Sequence, residues 1–513
     1  MFSRRLDDGQ GRSAIHGGGG VSDTRTAKRG RATETCRNRR ILIPTFGELR
    51  APPTIDPAVA DALRGVGMQD VHPLNLFRIT WHNDPATGGF GPVNVLVFPS
   101  ELTGVRAPIV GLVGKLFPTG SHKVGAAFGC LVPRLVTGDF DPTEDRAVWP
   151  STGNYCRAGA FDSALLGCAA VAILPEEMSR ERFEWLEAIG AEIIATPGCE
   201  SNVKEIFDAC WDIRRTRPEC VIFNQFDEFG NYLWHYGVTG PAAQSAFDQV
   251  ATNGDRLAGW VGATGSAGSL AAGDYLKTLH RGLRITAAEA LQCPTLLRAG
   301  FGGHRIEGIG DKHVPWIHNV RNTDVVTAID DEAAMRILRV FNEPAGHSVL
   351  HRYGVPGETI GRLPLLGISS ICNLLAAVKT ARYYEFDEHD VLITSLTDSS
   401  DLYRTRLAEL EAEYGGYTEG DAAVDFERYL LGTSTDHVKE LRYVDRKAIH
   451  NLKYFTWVEQ QGKTVDQLEA LWRPSFWVDL AAQLPAWDEQ ITAFNAETGV
   501  LALLKSEATG KGP

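Results

Sequence analysis

Between about Ile109 and Leu396 the sequence alternates short apolar runs with amphipathic stretches, and few folds accommodate that rhythm. The runs Ile109–Leu116, Ala147–Trp149, Ala170–Leu174, Glu192–Ala195, Val221–Phe223, Gly259–Val261, Arg284–Ala288, Val325–Ile329 and Val391–Leu396 read as strands. Helical candidates lie between them: Ala158–Leu166, Arg180–Ile189, Val203–Arg214, Leu270–Leu279, Glu332–Val340 and Ile371–Thr380. Strands apolar throughout, without alternation, are buried on both faces, which is the habit of parallel sheets. The expectation is therefore an α/β protein with mainly parallel open sheets. Turn-rich breaks divide the strands into two lobes, with a small lobe of approximately 135–255 inserted in the large one. In such sheets ligands gather at the carboxyl ends of strands.

The flanking segments differ from this body, taken as 41–404. Residues 1–40 carry ten Lys/Arg against four acids, a net of +6 that leaves −19 for the rest of the chain. With the Gly17–Gly20 run and few large apolar residues, they read as a disordered basic tail. Residues 405–513 read as a helical extension in which Trp457, Trp472, Trp477 and Trp487 mark a packing face. A net charge of −13 argues against a nucleic-acid-binding body, and no apolar stretch is long enough for a membrane span. The nine cysteines are odd in number and lack a Cys-x-x-Cys pair, so a reduced, cytoplasmic protein is expected. No metal-ligand spacing is visible.

Four turns carry small or hydroxyl residues where an apolar strand ends and a helix should begin. In Phe117–Ala127, Ser121 can cap a helix and Lys123 falls in its first turn, where the positive end of the helix disfavours a charged amine. A neutral amine is what a Schiff-base lysine requires, although an exposed lysine serves this turn equally well. Pro150–Tyr155 offers backbone amides and hydroxyls suited to a carboxylate, or an ordinary helix cap. Gly262–Ser269 can wrap a monophosphate or form a flexible surface turn; its glycine spacing matches neither the dinucleotide nor the triphosphate fingerprint. At Gly367–Ser370 a hydroxyl can cap the following helix or meet a heteroaromatic nitrogen without carrying charge.

Taken in this order, the four turns resemble the tryptophan-synthase-β-like (fold type II) superfamily of pyridoxal-phosphate enzymes, which includes cysteine synthase. His304–Gly310 resembles the cysteine-synthase segment beside the cofactor ring, and Thr397–Ser400 with Tyr403 resembles that family's closing segment. The resemblance implies that pyridoxal 5'-phosphate is held by Lys123 as an internal aldimine, with His122 near the phosphate and Asn154 on the 3-hydroxyl. Thr264, Gly265, Ser266, Ala267 and Gly268 would cradle the phosphate, and Gly308 would pass beside the ring. Ser369 would face the pyridine nitrogen, with Ser399 its competitor. Ser151, Thr152 and Gly153 would grip the substrate carboxylate, with Tyr155 and Arg157 as further substrate-binding candidates. Arg157 either contacts an anionic substrate group or is a helix-surface arginine, and Cys156 reads as a packed small side chain.

A neutral serine at the ring nitrogen makes the electron sink shallower than an acid does, which favours loss of a β-substituent. The resemblance thus implies β-elimination or β-replacement on a small amino acid such as cysteine, serine or O-activated serine, through an aminoacrylate. Alternatives are threonine-synthase or dehydratase chemistry, or a non-catalytic regulatory subunit. Val148-Trp149-Pro150 lacks the acid that tryptophan synthase uses to activate indole, which argues against indole addition. A homodimer is expected by resemblance alone, and His235 and His313 are candidates to line the pocket.

Overall fold

The computed structural model describes residues 20–151, 153–198, 203–310 and 312–508. A short hairpin, β1 (Asn83–Asp84) and β2 (Gly89–Phe90), precedes β3 (Val95–Phe98) and β4 (Ile109–Val113). Four strands follow in a run: β5 (Arg146–Pro150), β6 (Ala169–Pro175), β7 (Glu192–Thr196) and β8 (Cys220–Ile222). The chain then supplies β9 (Arg256–Ala263), β10 (Arg284–Ala290), β11 (Val325–Ile329), β12 (Asp390–Leu396) and β13 (Val438–Glu440).

These strands make two larger sheets. One is seven-stranded in the order β13-β11-β10-β9-β12-β4-β3, parallel except at its two edges. The other is a four-stranded parallel sheet ordered β7-β6-β5-β8. Both are covered by helices, so β4, β11 and β12 are buried along their whole length, and their sequences show no alternation. The helix Ile368–Tyr383 is buried from Ile368 to Ala381, which makes it a core element of the large sheet. The fold is thus α/β, two sheets of mainly parallel strands, with a C-terminal region of helices apart from β13, which adds an edge to the large sheet.

All nine expected strands are present. The antiparallel edges β3 and β13 lie outside the expected strands: β13 is three residues without an apolar run, and β3, although apolar, stands before the α/β rhythm begins at Ile109. In the C-terminal region Trp457 and Trp477 are buried, and the Trp457 indole N–H donates to the Val314 carbonyl at 2.8 Å. Buried Lys453 donates to the carbonyls of Trp316 and His318, so this region is fastened to the loop before β11. Cys36, Cys130, Cys156, Cys168, Cys210, Cys220 and Cys372 are free thiols, and no described helix is long and apolar enough to cross a membrane.

One expectation is corrected. Within the basic tail, Gly20–Asn38 is a helix; residues 1–19 lie outside the described residues. Its cationic side chains answer acids elsewhere: Lys28 meets Asp145 at 2.8 Å, Arg31 meets Asp141 at 2.5 Å, and Arg29 grips Glu497 through two bonds. Ala32 and Cys36 on the same helix are buried. Its basic charge reads as disorder only while those acids are out of view.

Candidate active site

Lys123 opens the helix Lys123–Thr137, downstream of β4 and the loop Phe117–His122. Its backbone N–H reaches Ser121 Oγ at 3.3 Å, as a capping hydroxyl would, although the N-cap position itself is His122. Its Nζ lies 3.4 Å from Ser266 Oγ, in the turn that follows β9. Asn231, from the helix Phe229–Trp234, donates to the same hydroxyl at 3.0 Å and to the Gln225 carbonyl. No sequence pattern distinguishes Asn231.

The glycine-rich turn is pressed against neighbouring backbone. A Cβ on Gly265 would lie 2.9 Å from the Gly308 carbonyl, and one on Gly268 would collide with the Asn231 amide. Ala267 has φ +62, the left-handed region that side chains rarely adopt. Thr264 spends both its N–H and its hydroxyl proton on the Ala288 carbonyl, while its own carbonyl accepts from Gly310 N–H at 2.9 Å. The turn is thereby seated against the 308–310 loop.

His122 is buried, stacked on Trp81 at 5.4 Å and edge-on to His235 at 5.2 Å. Its Nε2 lies 3.4 Å from Thr397 Oγ1, and its Nδ1 has no partner. Burial, with the Lys123 charge adding to it, pushes the His122 imidazole down to about 3, and His235 is lowered for the same reasons. Both rings are neutral at physiological pH. His313 stands elsewhere, in an aromatic cluster with Phe207, Phe226 and Trp457.

From β5 the chain enters the helix Asn154–Leu165 through Ser151 and Gly153; Thr152 lies outside the described residues. Ser151 Oγ accepts from Gly153 N–H at 3.1 Å and from the Gln225 amide at 3.4 Å. Gly153 has φ +143, and a Cβ there would strike the Arg182 side chain. Asn154 donates its side-chain amide to Asp398 Oδ2 at 2.6 Å, and Tyr403 donates its hydroxyl to the same oxygen at 2.8 Å. Asp398 is fully buried, and burial raises its carboxyl above the usual carboxylate range. Arg182 donates to Tyr403 and pairs with Glu307, which also takes Arg406 at 2.7 Å.

Of the remaining candidates, Ser369 sits in the first turn of Ile368–Tyr383, buried, its hydroxyl unpartnered and about a van der Waals contact from where a Gly308 side chain would begin. Ser399 instead directs its hydroxyl to Asp401 at 3.3 Å. Tyr155 packs edge-on to Trp149 and toward Cys130, within the core. Cys156 is buried, its thiol donating to the Gly153 carbonyl and pushed up to about 12 by burial. Arg157 is not a surface arginine: it is 3% exposed, with Nη2 on the Thr119 carbonyl at 3.2 Å and its guanidinium over the Trp185 ring. A cavity of about 420 Å³ borders this constellation at Glu307 and Arg406, lined also by Glu177 and His304 but not by Lys123. Asp398, Asn231 and Trp81 belong to the neighbourhood and were not among the sequence candidates; the Asp398 signal was its place in Thr397–Ser400.

A family model described as pyridoxal-phosphate dependent enzyme matches residues 113–350. A probable cysteine synthase of Bacillus subtilis is 27% identical over 281 residues, covering 55% of this chain and 83% of the relative. Cystathionine beta-synthase of Saccharomyces cerevisiae is 25% identical over 401 residues, covering 76% and 75%. Among solved structures, a cysteine synthase of Entamoeba histolytica superimposes with a TM-score of 0.54 at 21% identity, covering 66% of this chain and 92% of that one. A hydrogen sulfide-producing enzyme of Fusobacterium nucleatum gives 0.51 at 21%, covering 68% and 92%. These structural likenesses show the fold.

The residues present fit pyridoxal phosphate. The side-chain-poor turn 264–268 approaches backbone closely, as a phosphate cradle does, and an amine stands beside it. Asn154 Oδ1, Ser369 Oγ and His122 Nδ1 are buried polar atoms without partners, which is uncommon unless a ligand completes them.

Proposed function

The chain belongs to the tryptophan-synthase-β-like superfamily of pyridoxal-phosphate-dependent enzymes, and on that premise we propose that it eliminates or replaces the β-substituent of cysteine, serine or an O-activated serine. Pyridoxal-phosphate-dependent β-replacement and elimination is the chemistry its relatives support, and the choice of substrate is our own reading. The observation that carries it is the meeting of Lys123 Nζ with Ser266, joining the amine of one strand-to-helix turn to the glycine-rich turn of another.

When bound, the cofactor supplies a sink for negative charge developing at the substrate Cα. Lys123 would carry the Cα proton, a role supported by its half-buried position at a helix N-terminus. The turn Gly265–Gly268 would hold the phosphate with backbone N–H groups, since Thr264, also a cradle candidate, spends its N–H and hydroxyl on the Ala288 carbonyl. His122 and His235, held neutral, contribute no charge there and can still exchange hydrogen bonds. Ser151 and Gly153, at the mouth of the helix Asn154–Leu165, would bind the α-carboxylate. Between the two serine candidates, Ser369 is favoured for the ring nitrogen, since its hydroxyl is unspent while that of Ser399 is engaged. A neutral hydroxyl there leaves the sink shallow and favours departure of a β-substituent. The same reading carries a cytoplasmic homodimer as its expected assembly.

The test is reconstitution with pyridoxal phosphate followed by a panel of cysteine, serine, O-acetylserine and O-phosphoserine, with and without sulfide. Release of pyruvate and ammonia, or formation of a new β-substituted amino acid, is expected. Lys123→Ala should abolish both turnover and borohydride-fixable cofactor; retention of either overturns the reading.

A further inference from the structure

Arg157 stands one turn into the helix that begins at Asn154 and is 3% exposed. A guanidinium at that depth is costly unless charge or hydrogen bonds answer it. Only Nη2 is answered, by the neutral carbonyl of Thr119 at 3.2 Å; Nε and Nη1 are buried without partners. Its flat face is covered by Trp185 at 4.6 Å, which leaves the edge as the reactive side.

Neither nearby acid hydrogen-bonds Arg157: Asp398 takes Asn154 and Tyr403 on Oδ2, with Oδ1 unpartnered, and Glu307 takes Arg182 and Arg406. Arg182 is a second cation in the same electrostatic neighbourhood; burial and that like charge bring Arg157 down to about 10, still protonated at neutral pH. Arg157 is therefore a surplus buried cation. Its two contacts locate it between the halves of the fold: Thr119 lies on the loop leading to Lys123, and Trp185 on the helix Arg180–Ala188 beside the four-stranded sheet. Three residues before it in the helix stands Asn154.

We propose that Arg157 forms a subsite for a second oxyanion, carried on the side chain of the amino-acid substrate, and that this oxyanion is a phosphate ester. The inference rests on the β-elimination or replacement reading above, in which the α-carboxylate is held by Ser151 and Gly153 and a further anion needs its own cation. A planar guanidinium with two free N–H directions matches a phosphate by paired hydrogen bonds. The enzyme then prefers O-phospho-L-serine to O-acetyl-L-serine or serine.

The experiment uses the full-length, cofactor-loaded enzyme with Arg157→Gln and Arg157→Lys. The ratio of kcat/KM for O-phospho-L-serine over O-acetyl-L-serine is measured with sulfide, and binding of inorganic phosphate is measured by calorimetry. Arg157→Gln should lower the ratio about 100-fold, mainly through KM for the phosphorylated substrate, and abolish phosphate binding. Arg157→Lys should recover part of both, because the charge returns without the fork. An unchanged ratio, or equal losses on the two substrates, overturns the subsite. A wild type that prefers O-succinyl-L-serine to O-phospho-L-serine overturns the choice of phosphate. If no amino acid is turned over while phosphate binding is lost in Arg157→Gln, the subsite stands and the functional reading fails.

Discussion

Asn154 donates its side-chain amide to the Asp398 carboxylate at 2.6 Å, although the two stand 244 positions apart in the chain. The bond joins the helix after β5, in the small sheet, to the end of β12, in the large one. It also sets the orientation of Asn154, whose nitrogen faces Asp398 and whose carbonyl oxygen is left unpartnered. A residue proposed to touch the cofactor is thus aimed by a carboxylate from the other half of the fold.

Asp398→Ala should therefore do two things. It leaves the Asn154 amide and the Tyr403 hydroxyl proton without acceptors in the interior, which costs about 2–4 kcal/mol in urea unfolding. It also frees the Asn154 amide to rotate, so retention of pyridoxal phosphate on dialysis should weaken about tenfold or more. Unchanged stability and retention together would show that the pair orients nothing.

The two serines can be ranked directly. Ser369→Ala removes an unspent hydroxyl and should lower kcat about 10- to 100-fold while shifting the absorption maximum of the bound cofactor. Ser399→Ala breaks only a contact to Asp401 and should give the smaller loss and the smaller shift. The reverse order would move the ring-nitrogen role to Ser399.

Acid should destabilise the protein below pH 6.5 through its buried imidazoles. The imidazoles of His122, His313 and His450 are pushed down to about 3 by burial, so between pH 6.5 and 3 the unfolded chain binds protons that the folded one refuses. This stability is complete above pH 6.5 and falls as pH drops, by up to about 1.4 kcal/mol per pH unit for each fully buried ring. Thermal unfolding at pH 7.5 and 5.5 should show a clear drop in Tm. Replacing His313 by Phe should flatten the slope, whereas a slope unchanged in that variant would remove His313 from the account.

The N-terminal helix makes a smaller and more local prediction. Arg29 bonds Glu497 twice and the Val136 carbonyl once, at a half-buried position. Arg29→Ala should cost about 1 kcal/mol in urea unfolding, with added salt narrowing the difference from wild type. Absence of any change would remove Arg29 from the contacts that hold the helix.

Strands such as β4, β11 and β12 could be read in advance because a strand buried on both faces must be apolar along its length, whatever lies next to it. The edge strands β7 and β8 are only partly buried and were legible from their short apolar runs alone. The four turns were readable for a similarly local reason: close backbone approach at Gly265 and Gly268, or a hydroxyl at the start of the Ile368 helix, leaves only small residue types possible. The helix Gly20–Asn38 was misread, since its polar face is stabilised by Asp141, Asp145 and Glu497, and nothing within residues 1–40 announces those partners.

The amino-acid sequence by itself determined the class of fold, the positions of nine strands and the chemical inventory at their carboxyl ends, because periodicity and turn chemistry act over a few residues. Tertiary structure alone decided that Asp398 would aim Asn154, that His122 and His235 would lose their protons, and that Arg157 would be buried with nitrogens to spare. Each of those outcomes depends on desolvation or on contact between distant segments, and neither exists until the sheets have closed on one another.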